Sequence, residues 1–554
     1  MKIRLLKILV VTAMLTSFSA VSKAQPQKKF VLNMYHFNIQ YVVGSEASMR
    51  RIVKQSFEPL VDFYVEHPEW GADFEMQGMM IKYMAEEHPA VLDKFKRLVN
   101  SGQCDLVTFH YADQLLLAYP GHDQEWSLKL NDALLEKHGI TRSETIFAQE
   151  AQFGEGMAWL GKQKDYNVAV MTTGHYNWFQ DDDRFPFFQV HGMDVLVGRS
   201  GIEPETGIEV KWAFLGDGEL VATGGLSPYF PGLFRKNPIK LLMLEREFKN
   251  YEKEGYRIAK VSEYVEAVHE AGYEPPELLP ILDSTWRPND GSGVFQWMGK
   301  YVTKWEKDYD MRTQNWMVRN VLVEAEGQGA SDDTLAEAWA YMVNAQVSDP
   351  TGWYPFPVEI NWDYEQMDGV ISTLREAPEM CEMTAIEEAA WERPSSTGLS
   401  GSAPVDLALY GNAEDAKVEW FELEDMDGAY AVEIAWSGKG DGGVAFPFSA
   451  KALKYSPAMM EHTVRTIDAG DIKNNTIHLG LPNGLLGQED GPWIVRDNAQ
   501  GTVAGAVDWK ANEFRFEVKN GKEDEYRFRF YVLTNADDDT AREFANEINR
   551  VRPE

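Results

Sequence analysis

Cysteine is almost missing. Cys104 and Cys381 are the only two among 554 residues. A disulfide-stapled scaffold is therefore excluded, and the two read as free, buried thiols. Neither CxxC nor HExxH occurs, so no structural zinc cluster is expected. Positive charge is also scarce. Lys+Arg 53 stand against Asp+Glu 87, a formal net charge of −34. A nucleic-acid binder gains most of its affinity by neutralising phosphates with Lys and Arg, so no nucleic-acid partner is expected. Anionic membrane surfaces are disfavoured for the same reason. No apolar run approaches the roughly 20 residues that span a bilayer, so no membrane insertion of the mature chain is expected.

The amino terminus carries an export pattern. Lys2, Arg4 and Lys7 precede a short apolar stretch from Leu9 to Leu15, and Ser22-Lys23-Ala24 supplies small residues at a cleavage position. The pattern predicts a signal peptide over 1–24 and a secreted or periplasmic protein. Its removal takes four positive charges (Lys2, Arg4, Lys7, Lys23) and no acid, so the mature chain carries −38.

From residue 25 to about 289, short β-forming runs alternate with amphipathic stretches. Strands are expected at 29–38, 73–78, 104–111, 144–150, 166–173, 195–200 and 210–219. Helices are expected at 48–66, 88–102, 123–138, 154–161 and 240–255. Such alternation implies parallel strands with crossover helices. A closed or nearly closed (β/α) barrel fits best, because the polar motifs fall at carboxyl ends of strands, where barrel enzymes place their sites. Residues 290–390 carry helical apolar spacing and read as a bundle packed on the barrel. Residues 391–402 (WERPSSTGLSGS) are Ser/Gly/Pro-rich and read as a linker. From 403 to 554 short alternating strands predict an antiparallel β-sandwich.

Glycosidic hydrolysis generally needs two carboxyl groups flanking the sugar, and acids at strand ends are the candidates. Glu150 lies in IFAQEAQFGEG, between a strand and a helix; the alternative is a helix cap or an exposed acid. Asp217 lies in WAFLGDGELVATG, where Asp-Gly is also a common hairpin turn. Asp349 lies in AQVSDPTGWYPFP, where Ser-Asp-Pro is also a helix stop. Asp283, in LPILDSTWRP, also follows an apolar strand; it reads as a substrate contact or a structural anchor, and is the runner-up acid to Asp217. His36 and His110 sit at strand ends, although a lone histidine is more often structural. Aromatics make up 12% of the chain, with 17 Trp. Trp178, Trp286, Trp297 and Trp353 are candidates for stacking on sugar rings, and each also suits a core.

In order and rough spacing, residues 30–350 resemble glycoside hydrolase family 57, α-glucan-active enzymes on an incomplete (β/α)7 barrel with a helical region. His36-Phe37-Asn38-Ile39-Gln40 stands at the family's first motif without its His-Gln-Pro. SGQCDLVTFHYADQ (101–114) is similar to the second, Gln149-Glu150-Ala151 to the third, Asp217-Gly218-Glu219 to the fourth (Asp-x-Glu) and Ala345 to Asp349 to the fifth. The resemblance implies a retaining glycosidase with Glu150 as nucleophile and Asp217 as acid/base, their oxygens about 5–5.5 Å apart. It implies that His36, His110 and Asp349 bind the sugar, and that no metal or cofactor is needed. The expected partner is a carbohydrate substrate. Two rival readings stand beside it. One is a metal-dependent α-mannosidase- or deacetylase-like barrel, against which Asn38 stands where a carboxylate ligand is needed. The other is a non-catalytic carbohydrate-binding protein.

Overall fold

The computed structural model describes residues 27–40, 45–180, 185–225, 234–286, 293–298, 308–352, 355–380, 382–449, 451–468, 470, 476–502 and 505–552. The expected signal peptide, Trp353 and Cys381 lie outside the described residues. Cys104 is a buried free thiol.

Ten strands make up the first half among the described residues: β1 (Lys29–Phe37), β2 (Ala72–Met76), β3 (Cys104–Val107), β4 (Thr145–Ile146), β5 (Val168–Met171), β6 (Phe187–Val190), β7 (Met193–Val197), β8 (Gly201–Ile202), β9 (Glu209–Asp217) and β10 (Arg257–Ala259). Only Lys29 and His36 of β1 escape full burial, as expected of a near-continuous apolar run in a parallel sheet covered on both faces. β1 pairs in parallel with β9 along its length, with β10 at its start and with β2 at its end; β2 pairs in parallel with β3. A second sheet runs β4-β5-β7-β6, parallel except for the β6–β7 hairpin. Among the described residues the two sheets form separate ladders and not one hydrogen-bonded ring.

Four helices follow: Asp308–Gly327, Asp332–Ala345, Pro357–Glu376 and Met383–Trp391. They bury Val321, Leu335, Trp339, Met342 and Met367 together with Tyr111 and Trp126 from the first half. The carboxyl-terminal region forms an eight-stranded and a five-stranded antiparallel sheet. Phe446 and Phe516, of the smaller sheet, meet Phe530 of the larger at ring-centroid distances of 5.4 and 4.7 Å. The stretch expected to be a linker is partly a strand: Ser396–Gly398 pairs with Phe421–Leu423 at a sheet edge. Its composition reads as loop because the pairing partner lies farther along the chain.

The sandwich docks through contacts that leave no room for side chains. A Cβ on Gly156 would sit 1.9 Å from the carbonyl oxygen of Ala458, and one on Gly480 would sit 2.2 Å from that of Leu117. One buried apolar cluster runs through this contact, joining Phe109, Met157 and Trp178 to Val432, Phe446 and Phe530. Alanine in place of glycine inside a helix gains about 1 kcal/mol, but overpacking against a fixed backbone costs about 1–3 kcal/mol or more. Gly156→Ala is therefore expected to lower the midpoint of thermal or urea unfolding. Gly398→Ala, whose Cβ meets nothing within 4 Å, is expected to leave it unchanged.

Candidate active site

The carboxyl ends of both parallel sheets open into one cavity of about 760 Å³. His36 and Asn38 reach it from β1, Asp217 and Glu219 from the end of β9, and Glu150 from the turn after β4. Thr172 to Gly174 follow β5, and Trp286, Trp297, Asp349 and Thr351 complete the wall.

Strand register builds one side. β1 and β9 run four residues in step from Lys29 opposite Glu209, then shift by one between Leu32 and Asn33. Ala213 is the extra residue, and after it Asp217 pairs with His36. Because strand side chains alternate with period two, a one-residue shift decides which face an acid occupies. On its other flank His36 pairs with Glu75 of β2. The Asp217-Gly218 step is not a hairpin: β9 runs into a single helical turn, Gly218–Leu220. Gly218 lies on Phe37, whose ring would be 2.5 Å from an added Cβ, and its carbonyl accepts from Ser56 Oγ at 3.0 Å.

Glu150 builds the opposite side from a strained turn. Glu150 and Ala151 both have left-handed backbones, with φ of 56° and 45°. Such non-glycine conformations cost about 1–3 kcal/mol each and persist where their surroundings fix them. Trp286 does so twice: its backbone N–H donates to the Glu150 carbonyl at 3.1 Å, and its indole N–H donates to Oε2 at 2.5 Å. Gln149 Nε2 donates to Ser348 Oγ at 2.9 Å, tying the turn to the Asp349 loop.

Glu150, Glu219 and Asp349 are desolvated. Burial raises Glu150 to about 7. Burial, then the nearby Asp217 charge, raises Glu219 to about 8. Asp349 is raised to about 6 by burial against the opposing hydrogen bond from Asn38 Nδ2, which is 2.7 Å long. Arg312, wholly buried, braces the Asp349 loop: it donates to the carbonyls of Val347 at 2.6 Å and Trp297 at 3.2 Å.

Of the residues singled out from the sequence, Glu150, Asp217, His36, Asp349, Trp286 and Trp297 line this cavity. Three others do not. His110 is fully buried behind the floor, with Nε2 3.3 Å from Glu75 Oε1. Trp178 is in the apolar core, because its helix Thr173–Phe179 turns it inward. Asp283 is buried against the sandwich, where Oδ2 accepts from the Ala458 N–H at 3.0 Å, and burial pushes its carboxyl well above the usual carboxylate range. It is an anchor, not a second acid of the cavity. Glu75 and Arg312 were not singled out, and Glu219 and Asn38 were named only as motif positions without a site role. Glu75 did carry a signal: with Asp73 it is one of two acids inside a wholly buried strand, and such an acid needs a partner. Among the described residues no three His, Cys, Asp or Glu side chains converge as a metal-ligand set.

Glu150 and Asp217, each following a strand, line one cavity. Residues 14–195 match the model described as glycosyl hydrolase family 57. An alpha-amylase 1 of Dictyoglomus thermophilum is 26% identical over 105 residues, 19% of this chain and 15% of its own length. An alpha-amylase of Pyrococcus horikoshii is 23% identical over 114 residues, 21% of this chain and 18% of its own. The chain thus spans less than a fifth of the length of these curated relatives. Among solved structures, an alpha-mannosidase from Enterococcus faecalis V583 shares the fold, with a TM-score of 0.57 at 8% identity over 91% of this chain and 87% of that one.

The raised Glu150 has a measurable consequence. A carboxyl whose pKa is higher folded than unfolded holds its proton more tightly in the folded state. Its cost to stability is absent below the ordinary glutamate pKa of about 4.3, grows as pH rises, and is complete above about 7. Glu150→Gln removes the ionisation while keeping an acceptor for the indole. It is expected to raise the thermal midpoint over the wild type at pH 8 and to leave it unchanged at pH 4; equal midpoints at pH 8 would contradict the burial described.

Proposed function

We propose that this protein is an exported retaining glycoside hydrolase acting on α-linked oligo- or polysaccharide. One observation carries the reading: Glu150 and Asp217, delivered by strands of different sheets, reach the same cavity. The family 57 match over residues 14–195 supports it. On this reading residues 25–289 form an incomplete (β/α)7 barrel from the two parallel sheets, 290–390 the helical layer that closes the site, and 403–554 the sandwich. Residues 1–24 direct export to the periplasm or beyond.

In the first step the Glu150 carboxylate attacks the anomeric carbon while the Asp217 carboxyl gives its proton to the departing glycosidic oxygen. A covalent glycosyl-Glu150 ester results, with the configuration inverted once. In the second step the Asp217 carboxylate takes a proton from water, and the hydroxide oxygen attacks the same carbon. Glu150 is released and the original configuration returns. A sugar hydroxyl in place of water gives transfer instead of hydrolysis. Trp286 offers a face for the sugar ring, and Asp349 and His36 offer hydrogen-bonding groups. The nucleophile has to be ionised, so kcat/KM rises with pH through about 7.

The test is a glycan screen of the wild type beside Glu150→Gln and Asp217→Asn, with the anomer of the first-formed product read by NMR. The expected results are retention of configuration, abolished turnover for Glu150→Gln, and about 10²–10⁴-fold lower kcat/KM for Asp217→Asn. Inverted product, or unchanged hydrolysis by both variants, would end the proposal.

A further inference from the structure

Beneath the cavity floor lies an acid that the two-step reaction does not use. Glu75, near the end of β2, is wholly buried and held between two histidines. His36 Nδ1 donates to Oε2, and His110 Nε2 lies 3.3 Å from Oε1. Parallel pairing fixes the arrangement, since His36 has Glu75 as its neighbour on one strand and Asp217 on the other. A buried carboxylate is costly unless it is paired and hydrogen-bonded. The ion-pair partners of Glu75 among the described residues are His36 and His110.

His36 is the basic residue among the described residues that line the cavity; Glu150, Asp217, Glu219 and Asp349 are the acids. The groups around it come from every neighbouring element. Glu75 stands on β2, His110 and Asp113 follow β3, Asp217 and Glu219 end β9, and Glu150 and Asp349 lie across the opening. Apart from His110 these are acids. Burial works against the charged ring, and Glu75 outweighs it, so His36 is held well above the ordinary histidine range.

We propose that Glu75 is a positioning residue that keeps His36 as an imidazolium, with Nδ1 on the buried carboxylate and Nε2 left as a cationic donor to a sugar hydroxyl in the cavity. The proposal rests on the glycosidase reading for its ligand, and on the Glu75–His36–Asp217 register for its geometry. It gives a site lined by acids one donor that neither backbone nor amide groups supply. It also makes that donor insensitive to pH across the range in which a free histidine titrates.

The test has two arms on the full chain. In the first, ¹⁵N-histidine NMR follows His36 with pH, its signal assigned by its loss in His36→Gln. The wild type is expected to show both ring nitrogens protonated up to pH 8. In Glu75→Gln the amide oxygen can still accept from Nδ1 but the counter-charge is gone, and His36 is expected to titrate at least about one pH unit lower, toward its ordinary value of about 6.5. In the second arm, starch hydrolysis is followed against pH. Glu75→Gln is expected to gain a falling limb on the alkaline side that the wild type lacks, and to cost less than about 2-fold in kcat/KM when added to His36→Gln. A neutral His36 in the wild type at pH 7 would overturn the proposal, even if Glu75→Gln failed to fold. So would an unchanged His36 titration in Glu75→Gln, or an unchanged pH profile. A wild type that cleaves no starch would strike the glucan reading alone, and the NMR arm would still decide the role of Glu75.

Discussion

Parallel pairing of β1 with β9 is the constraint on which the site depends. It sets two residues far apart in the chain side by side, and a single extra residue, Ala213, decides that Asp217 and not Gly216 stands beside His36. The other neighbours of β1 follow from the same strand. β2 brings Glu75 under the floor, and Phe37 gives Gly218 a ring to lie on. A strand that serves three partners cannot shift its register to suit one of them. Its near-complete burial reflects this, since every second residue on each face is already committed to packing.

The remaining layers keep several carboxyl groups away from water. Each of those groups works against folding near neutral pH, so the loops that carry them need rigid backing. The helix Asp308–Gly327 supplies it with two buried arginines seven residues apart. Arg319 Nε donates to both carboxylate oxygens of Asp123, at 2.9 and 2.8 Å, and joins the helical layer to the first half. Arg312 donates instead to the carbonyls of Ala345 and Val347 and to the Thr351 hydroxyl, and so fixes the path of the chain on either side of Asp349. The strained turn at Glu150 is held in the same manner, by Trp286 across the cavity mouth.

Much of this was legible in the sequence. Seven of the ten described strands of the first half were readable from their apolar runs, and Glu150, Asp217 and Asp349 drew attention as acids at element ends beside glycine or aromatic residues. Direction was not legible. His110 and His36 both end strands, yet one faces the cavity and the other packs beneath it, and composition does not encode that difference. Trp178 and Trp286 looked alike, but the inward face of the helix Thr173–Phe179 claimed the first. Asp283 read equally as a substrate contact or a structural anchor, because the partner that makes it an anchor, the Ala458 N–H, lies much farther along the chain. The edge strand Ser396–Gly398 was hidden for the same reason: it is a strand only where Phe421–Leu423 is beside it.

The close contacts at Gly156 and Gly480 also govern the order in which the molecule can be completed. The apolar cluster that holds the helix after Glu150 takes in Phe528, Phe530 and Val532, which are among the last residues of the chain. The first half therefore cannot finish its core while it is being synthesised; local helices and parallel pairs can form, but their outer face waits for strands made at the end. Long-range contacts of this kind slow folding and prolong the exposure of apolar surface.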